Sequence, residues 1–231
     1  MEENRRHWYD GLFYDLFIAP YQDKIFAQVK EIVNGGSVVL DVGCGTGRLA
    51  SLLLDKCDKI EIIDSSEENI GIARHKLAAV RTERLAIVHT DFLEFITKNY
   101  SHFDFAVVSY VIHQIREEER DVLLWGLSAV ADKVIILDYL VPQPRNYCGF
   151  LYHLVEYAAG PLHYRNFKSF VKGNGFAGLL ERVPLNILSE VRDQPCSSHF
   201  AVLEGKKGWD GKTCAHNPVL EMTRARVRNV G

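Results

Sequence analysis

The chain has 231 residues, 47% of them hydrophobic, which suits one domain around a single buried core. Its formal charge of −3 lacks the basic excess that gathers nucleic acid or an anionic membrane, so a small-molecule partner is favoured. Cys44, Cys57, Cys148, Cys196 and Cys214 form no CxxC pair and match neither a zinc site nor a disulfide framework; reduced thiols and no metal are expected.

The opening "MEENRRHWYD" is too polar for the apolar part of a signal peptide, and no run approaches the roughly eighteen apolar residues of a membrane span. A soluble cytoplasmic protein is the expectation. The segment "YDGLFYDLFIAPYQDKIFAQVKEIV" carries apolar residues at helical spacing, interrupted at Pro20. It predicts one or two amphipathic helices within residues 1–36.

Five apolar runs follow: "SVVLDV", "DKIEIID", "LAIVHTD", "FDFAVVSY" and "KVIILDYLV". Each is apolar at successive positions, as in strands buried on both faces of a parallel sheet. Helical patterns lie between several of them: "GRLASLLLDK", "SEENIGIARHKLAAV" and "EEERDVLLWGLSAVA". Ser65 or Ser66 is placed to cap the second of these, with acidic residues in its first turn. Strand alternating with helix predicts a doubly wound, Rossmann-like α/β fold with a mostly parallel sheet.

Residues 141–175 supply turn residues and an aromatic-rich helical stretch. Then "AGLLERVPLN" and "SSHFAVLEG" are predicted as two strands, separated by a polar run and paired antiparallel at the sheet edge, for seven strands in all. One domain over residues 1–205 is expected, and residues 206–231 form a basic tail without strong periodicity.

The most informative stretch is "VVLDVGCGTGRLA", in which three glycines fall within five positions after the first strand. A strand, a bare glycine turn and a helix present backbone N–H groups to a ligand at close range. A dinucleotide fold wants G-x-G-x-x-G, but its last position is Arg48 here, and the P-loop pattern is absent. What remains is Asp41 followed by Gly43, Gly45 and Gly47.

This D-x-G-x-G-x-G run resembles the first motif of class I S-adenosylmethionine-dependent methyltransferases. "EIIDSSEENIGIARHKL" is similar to the second motif, with Asp64 at the strand end. "HTDF" resembles the third, "FDFAVVSYVIHQI" resembles the fourth strand and its loop, and "LFYDLFIAP" resembles the lid of the quinone-biosynthesis-like, small-molecule branch. The resemblance implies methyl transfer from S-adenosylmethionine, leaving S-adenosylhomocysteine. The implied cofactor contacts are the lid residue Tyr14; Asp41, Gly43, Cys44, Gly45 and Gly47 at the turn; Asp64 and Ser65 at the ribose; Asp91 and Phe92 at the adenine; and Ser109 and Tyr110 beside the methyl donor.

For several of these a purely structural role stands alongside. Asp64 suits a helix cap, Asp91 and Phe92 a cap followed by a core aromatic, and Ile70 either a cover for the adenosine or plain core. His113 is the first candidate for a general base, since histidine titrates near neutrality, with packing or loop tethering as the alternative. Tyr9, Tyr152, His153, Tyr157 and His163 are the candidate acceptor contacts, and clustered aromatics favour a planar or apolar acceptor. "SYVIHQ" lacks the prolines of the motif that amino-methylating enzymes acting on adenine or glutamine carry at this place. The acceptor atom stays open among oxygen, carbon and nitrogen. Two rival readings are a non-catalytic binding protein that keeps the cofactor pocket and a nicotinamide-dependent oxidoreductase.

Overall fold

A computed structural model describes residues 19–80, 83–98, 101–144, 147–183, 185–193 and 197–205. Its strands are β1 (Val38–Val42), β2 (Lys59–Asp64), β3 (Leu85–His89), β4 (Phe103–Ser109), β5 (Ala131–Tyr139), β6 (Leu185–Arg192) and β7 (Ser198–Gly205). The helices are α1 (Ala19–Ile32), α2 (Arg48–Leu53), α3 (Glu67–Lys76), α4 (Phe92–Lys98), α5 (Glu117–Val130), α6 (Tyr147–Ala158), α7 (Pro161–Lys172) and α8 (Gly175–Leu180), with a 3-10 turn at Ile112–Gln114.

The strands form one sheet in the order β3-β2-β1-β4-β5-β7-β6. Strands β1 to β5 are parallel, and β7 runs antiparallel to both β5 and β6. Successive strand residues feed opposite faces: Val39, Val107 and Ile135 join one apolar cluster, whereas Leu40, Ala106, Val134 and Ile136 join the other. Because helices cover both faces, the strand sequences are continuously apolar. The first cluster takes Ile25, Leu49, Leu53, Ile70 and Ala73 from α1, α2 and α3; the second takes Phe95, Leu124, Phe167 and Phe176 from α4, α5, α7 and α8. The seven-stranded, mostly parallel sheet with its antiparallel edge is thus the predicted one. Its order reverses between β1 and β4, the place where open α/β sheets receive ligands at the carboxyl ends of the strands.

Pro20 sits in the first turn of α1, where a missing N–H costs no helix hydrogen bond. Ser66 caps α3, its hydroxyl accepting from the Asn69 amide at 3.3 Å. Ser66→Ala is expected to lower stability by about 1 kcal/mol, read from urea unfolding.

The edge hairpin corrects one prediction. "AGLLERVPLN" is not a strand: Gly175–Leu180 is helix α8, and β6 begins at Leu185. Phe176 and Leu179 are both buried at helical spacing, and Asn174 (φ 61°) and Gly175 (φ 57°) turn the chain left-handed into the helix. Strand β6 instead uses the run taken for a polar linker. As the edge strand, it exposes most of its side chains and carries little of the apolar signal of a buried strand. Among the described residues, no helix is long and apolar enough to cross a membrane.

Candidate active site

The turn after β1 is built around three residues with left-handed φ: Gly43 (70°), Gly45 (54°) and Gly47 (76°). The amides of Gly43 and Cys44 both donate to the Ile63 carbonyl, at 2.9 and 3.1 Å, holding the turn against β2. Gly47 packs on Leu77, Ala73 and Ile62, so a side chain there would enter the α3 contact. Gly43 is covered by Val111. Among the described residues nothing lies within 4 Å of where a Gly45 Cβ would project, which makes it the outward-facing member of the three.

Asp64 joins this turn to the next one. Its Oδ2 accepts from the Gly45 amide and its Oδ1 from the Ser66 amide, each at 2.8 Å. Burial raises its pKa, against the pull of these amides. A side-chain hydrogen bond from Asn69 also favours the charged carboxylate. The geometry therefore aims Asp64 at the glycine corner, while the α3 cap is Ser66.

Asp41 lies beneath. It is 1% exposed, and neither carboxylate oxygen has a hydrogen-bond partner among the described residues. Burial, and then the Asp64 charge, push its pKa up to about 7. Burial, and then the charges of Asp41 and Asp64, drive the Cys44 thiol upward, so Cys44 stays a neutral, buried thiol. Two close carboxylates, of which Asp41 has no partner among the described residues, suit a ligand that brings a cation and hydroxyl donors, and they oppose phosphates.

The other named cofactor candidates divide. Asp91 follows β3 and its Oδ1 accepts from the Glu94 amide at 2.9 Å, which is the helix-capping geometry. Phe92 turns its ring onto Gly126 of α5, and Ile70 is fully buried; both have the core placement. Ser65 is exposed and its carbonyl lies 3.1 Å from His89 Nε2. Ser109 ends β4 half-buried, and Tyr110 follows it with φ 56°, an uncommon conformation for a bulky side chain. Tyr110 is held there by its amide to Leu137 O (2.7 Å), its hydroxyl to Ser198 Oγ (2.8 Å) and an edge contact with Tyr139. Tyr9 and Tyr14 lie outside the described residues.

At the acceptor side, His113 occupies the 3-10 turn after β4, 1% exposed. Its Nδ1 lies 2.6 Å from Asp138 Oδ1, its Nε2 3.4 Å from Glu156 Oε1, and its amide donates to Asp138 Oδ2 at 3.1 Å. Burial opposes the imidazolium, but Asp138 and Glu156 outweigh it and push the His113 pKa up to about 10. Burial likewise opposes the Glu156 charge, and His113 and His163 together hold that carboxyl well below the usual range. Held between Asp138 and Glu156, His113 has the placement of the tethering alternative. Glu156 also contacts His163 Nε2 at 2.9 Å and accepts from the Tyr139 hydroxyl at 2.8 Å.

The aromatic segment splits into two faces. Tyr152 stacks on Tyr139 at 4.4 Å and Phe167 is fully buried, whereas Phe150 and Tyr157 are each 68% exposed. His153 is exposed, with its ring 5.1 Å from Phe167.

Sequence reasoning missed Asp138, Tyr139, Glu156, Val111 and Arg120. Buried Arg120 donates to Ile112 O, Ile115 O, Asn166 O and Ser169 Oγ, locking the loop after β4 onto α7. Glu156 did leave a signal, as the single acidic residue of α6. The contacts of Arg120 span up to 49 residues and left none.

Residues 39–132 match the family model described as a methyltransferase domain. An uncharacterized methyltransferase of Geobacillus sp. (strain WCH70) is 31% identical over 142 residues, covering 57% of this chain and 63% of the relative. The chain thus spans less than two thirds of the curated relatives it matches. Among solved structures, the magnesium protoporphyrin IX methyltransferase ChlM of Synechocystis PCC 6803 with bound SAH is similar at TM-score 0.58 and 18% identity, over 84% of this chain and 86% of that one. The mitomycin 7-O-methyltransferase MmcR is similar at TM-score 0.59 and 17% identity, over 80% of this chain and 54% of that one. At these identities the likeness is one of fold.

Proposed function

We propose that this chain, whose residues 39–132 match the methyltransferase domain model, transfers a methyl group from S-adenosylmethionine to a small, planar or apolar metabolite and releases S-adenosylhomocysteine. The observation that carries this reading is the buried, unpartnered Asp41 carboxylate beneath an open Gly45. An amino-acid ammonium group satisfies Asp41, and the bare main chain from Gly43 to Gly47 admits the neighbouring carboxylate. Asp64 stands about twenty residues after the turn and faces the glycine corner, the position from which a doubly wound site holds the ribose hydroxyls. The bound cofactor supplies a methyl group on a cationic sulfur.

The protein's own part is positioning and exclusion of water. In-line displacement gains most of its acceleration from holding the two reactants at attack distance in a dry pocket. Tyr110 stands at the end of β4 in a strained but firmly pinned conformation, where it borders both reactants. Tyr152 provides an aromatic face for an acceptor beside it, backed by the buried Tyr139 ring. His113 holds the connecting loop through Asp138. Residues 141–175 supply the acceptor cap in this reading, whereas α1 is docked against the sheet through Ile25 and Val29.

Calorimetric titration with S-adenosylhomocysteine tests the site. Asp64→Ala is expected to weaken binding by about 1–3 kcal/mol through lost charge-assisted hydrogen bonds. Unchanged affinity would remove Asp64 from the pocket. Transfer of a labelled methyl group from S-adenosylmethionine to a metabolite panel tests turnover, and tight binding without any labelled product would favour a non-catalytic binding protein.

A further inference from the structure

Three metal-binding side chains from three separate elements converge behind the acceptor edge. His113 comes from the turn after β4, Glu156 from the last turn of α6 and His163 from the first turn of α7. Their donor atoms all lie within 4.8 Å of one another. They are not a solvated surface cluster, since His113 is 1% and Glu156 3% exposed and His163 is partly covered.

The state of His113 points inward. Its Nδ1 is fixed on Asp138, which turns Nε2 toward Glu156 and His163. That Nε2 is completely buried and makes no hydrogen bond among the described residues, although a carboxylate oxygen stands 3.4 Å away. A carboxylate behind one ring nitrogen with the other aimed into a cluster is how proteins orient a metal-ligating histidine.

We propose that His113 Nε2, His163 Nε2 and the Glu156 carboxylate bind one divalent transition-metal ion of the zinc type. Two imidazoles and one carboxylate are the donor set of three-ligand zinc sites, which keep a fourth position for water or another oxygen ligand. Imidazole donors disfavour magnesium and calcium, which take oxygen ligands. The ion replaces the proton on His113 Nε2, which passes to solvent, and becomes the counter-charge for Glu156. Tyr139, already donating to Glu156 Oε1, orients that carboxylate. Partly exposed His163 marks the entry side. None of this depends on the methyl-transfer reading.

The test uses the full chain, stripped with a chelator and titrated with Zn²⁺ or Mg²⁺ in a calorimeter, with bound metal counted by mass spectrometry. One Zn²⁺ per chain and no Mg²⁺ response are expected. His163→Ala and Glu156→Gln should each weaken Zn²⁺ binding at least about tenfold, with an unchanged circular dichroism spectrum. Should Glu156→Gln misfold, His163→Ala decides alone, because its partly exposed position tolerates truncation. Absent or substoichiometric Zn²⁺ binding, or affinity unchanged in the folded variants, would overturn the proposal.

Discussion

Without ligand, the protein should lose stability as pH rises from about 4 to 7, by on the order of 4 kcal/mol from Asp41 alone. The folded state holds the Asp41 carboxyl at a pKa of about 7, above the ordinary carboxylate range, because the group is buried and faces Asp64. Between the unfolded and folded pKa the native state binds more protons than the unfolded one, so stability falls with rising pH through that window. The contribution is fully present below about pH 4 and gone above about pH 7. Asp41→Asn should flatten this slope, as read from urea unfolding at a series of pH values.

Ligand binding should run the other way. An ammonium group prefers the ionised Asp41, so affinity for S-adenosylhomocysteine should rise toward pH 7, by about tenfold per pH unit at the acid limit, and then level off. Asp41→Asn should weaken binding and remove the pH dependence. A flat affinity profile in the unsubstituted protein would mean that Asp41 is not the ammonium partner. The two slopes together describe a protein that holds an unfavourable buried charge until a cationic ligand neutralises it.

What the sequence made legible follows from the range of the interactions involved. Strands β1, β2, β4 and β5 are buried on both faces and β3 in part, and that burial is written locally as runs rich in Val and Ile. The glycine corner was equally legible, because Gly43, Gly45 and Gly47 meet a backbone demand within five residues, and Asp64 ends the very next strand. Where burial is one-sided or contacts are distant, the local record thins. Strand β6 exposes most of its side chains, so it resembled a linker, while the apolar positions of α8 passed for a strand. Asp138 and Glu156 acquire their meaning from His113, which lies 25 and 43 residues before them in the chain. No periodicity or spacing announces that encounter. Phe92 shows a different failure. Its position after β3 pointed to the ligand edge, but Gly126 of α5 leaves a space that the ring fills.

The glycines of the corner should separate stability from binding. Gly43→Ala is expected to destabilise the protein by about 2–5 kcal/mol. Its φ of 70° penalises any Cβ by about 1–2 kcal/mol, and the new methyl falls inside the side chain of Val111, an overpacking cost of about 1–3 kcal/mol. Val111 leads into the turn that carries His113, so the strain also reaches the acceptor side. Gly45→Ala carries only the backbone penalty, about 1–2 kcal/mol, since its Cβ projects into open space. That open space is where the proposed ligand approaches the main chain. Gly45→Ala should therefore bind S-adenosylhomocysteine at least about tenfold more weakly while melting closer to the unsubstituted protein than Gly43→Ala does. If Gly45→Ala binds normally, the main chain at that corner does not touch the ligand, and Gly45 serves the turn alone.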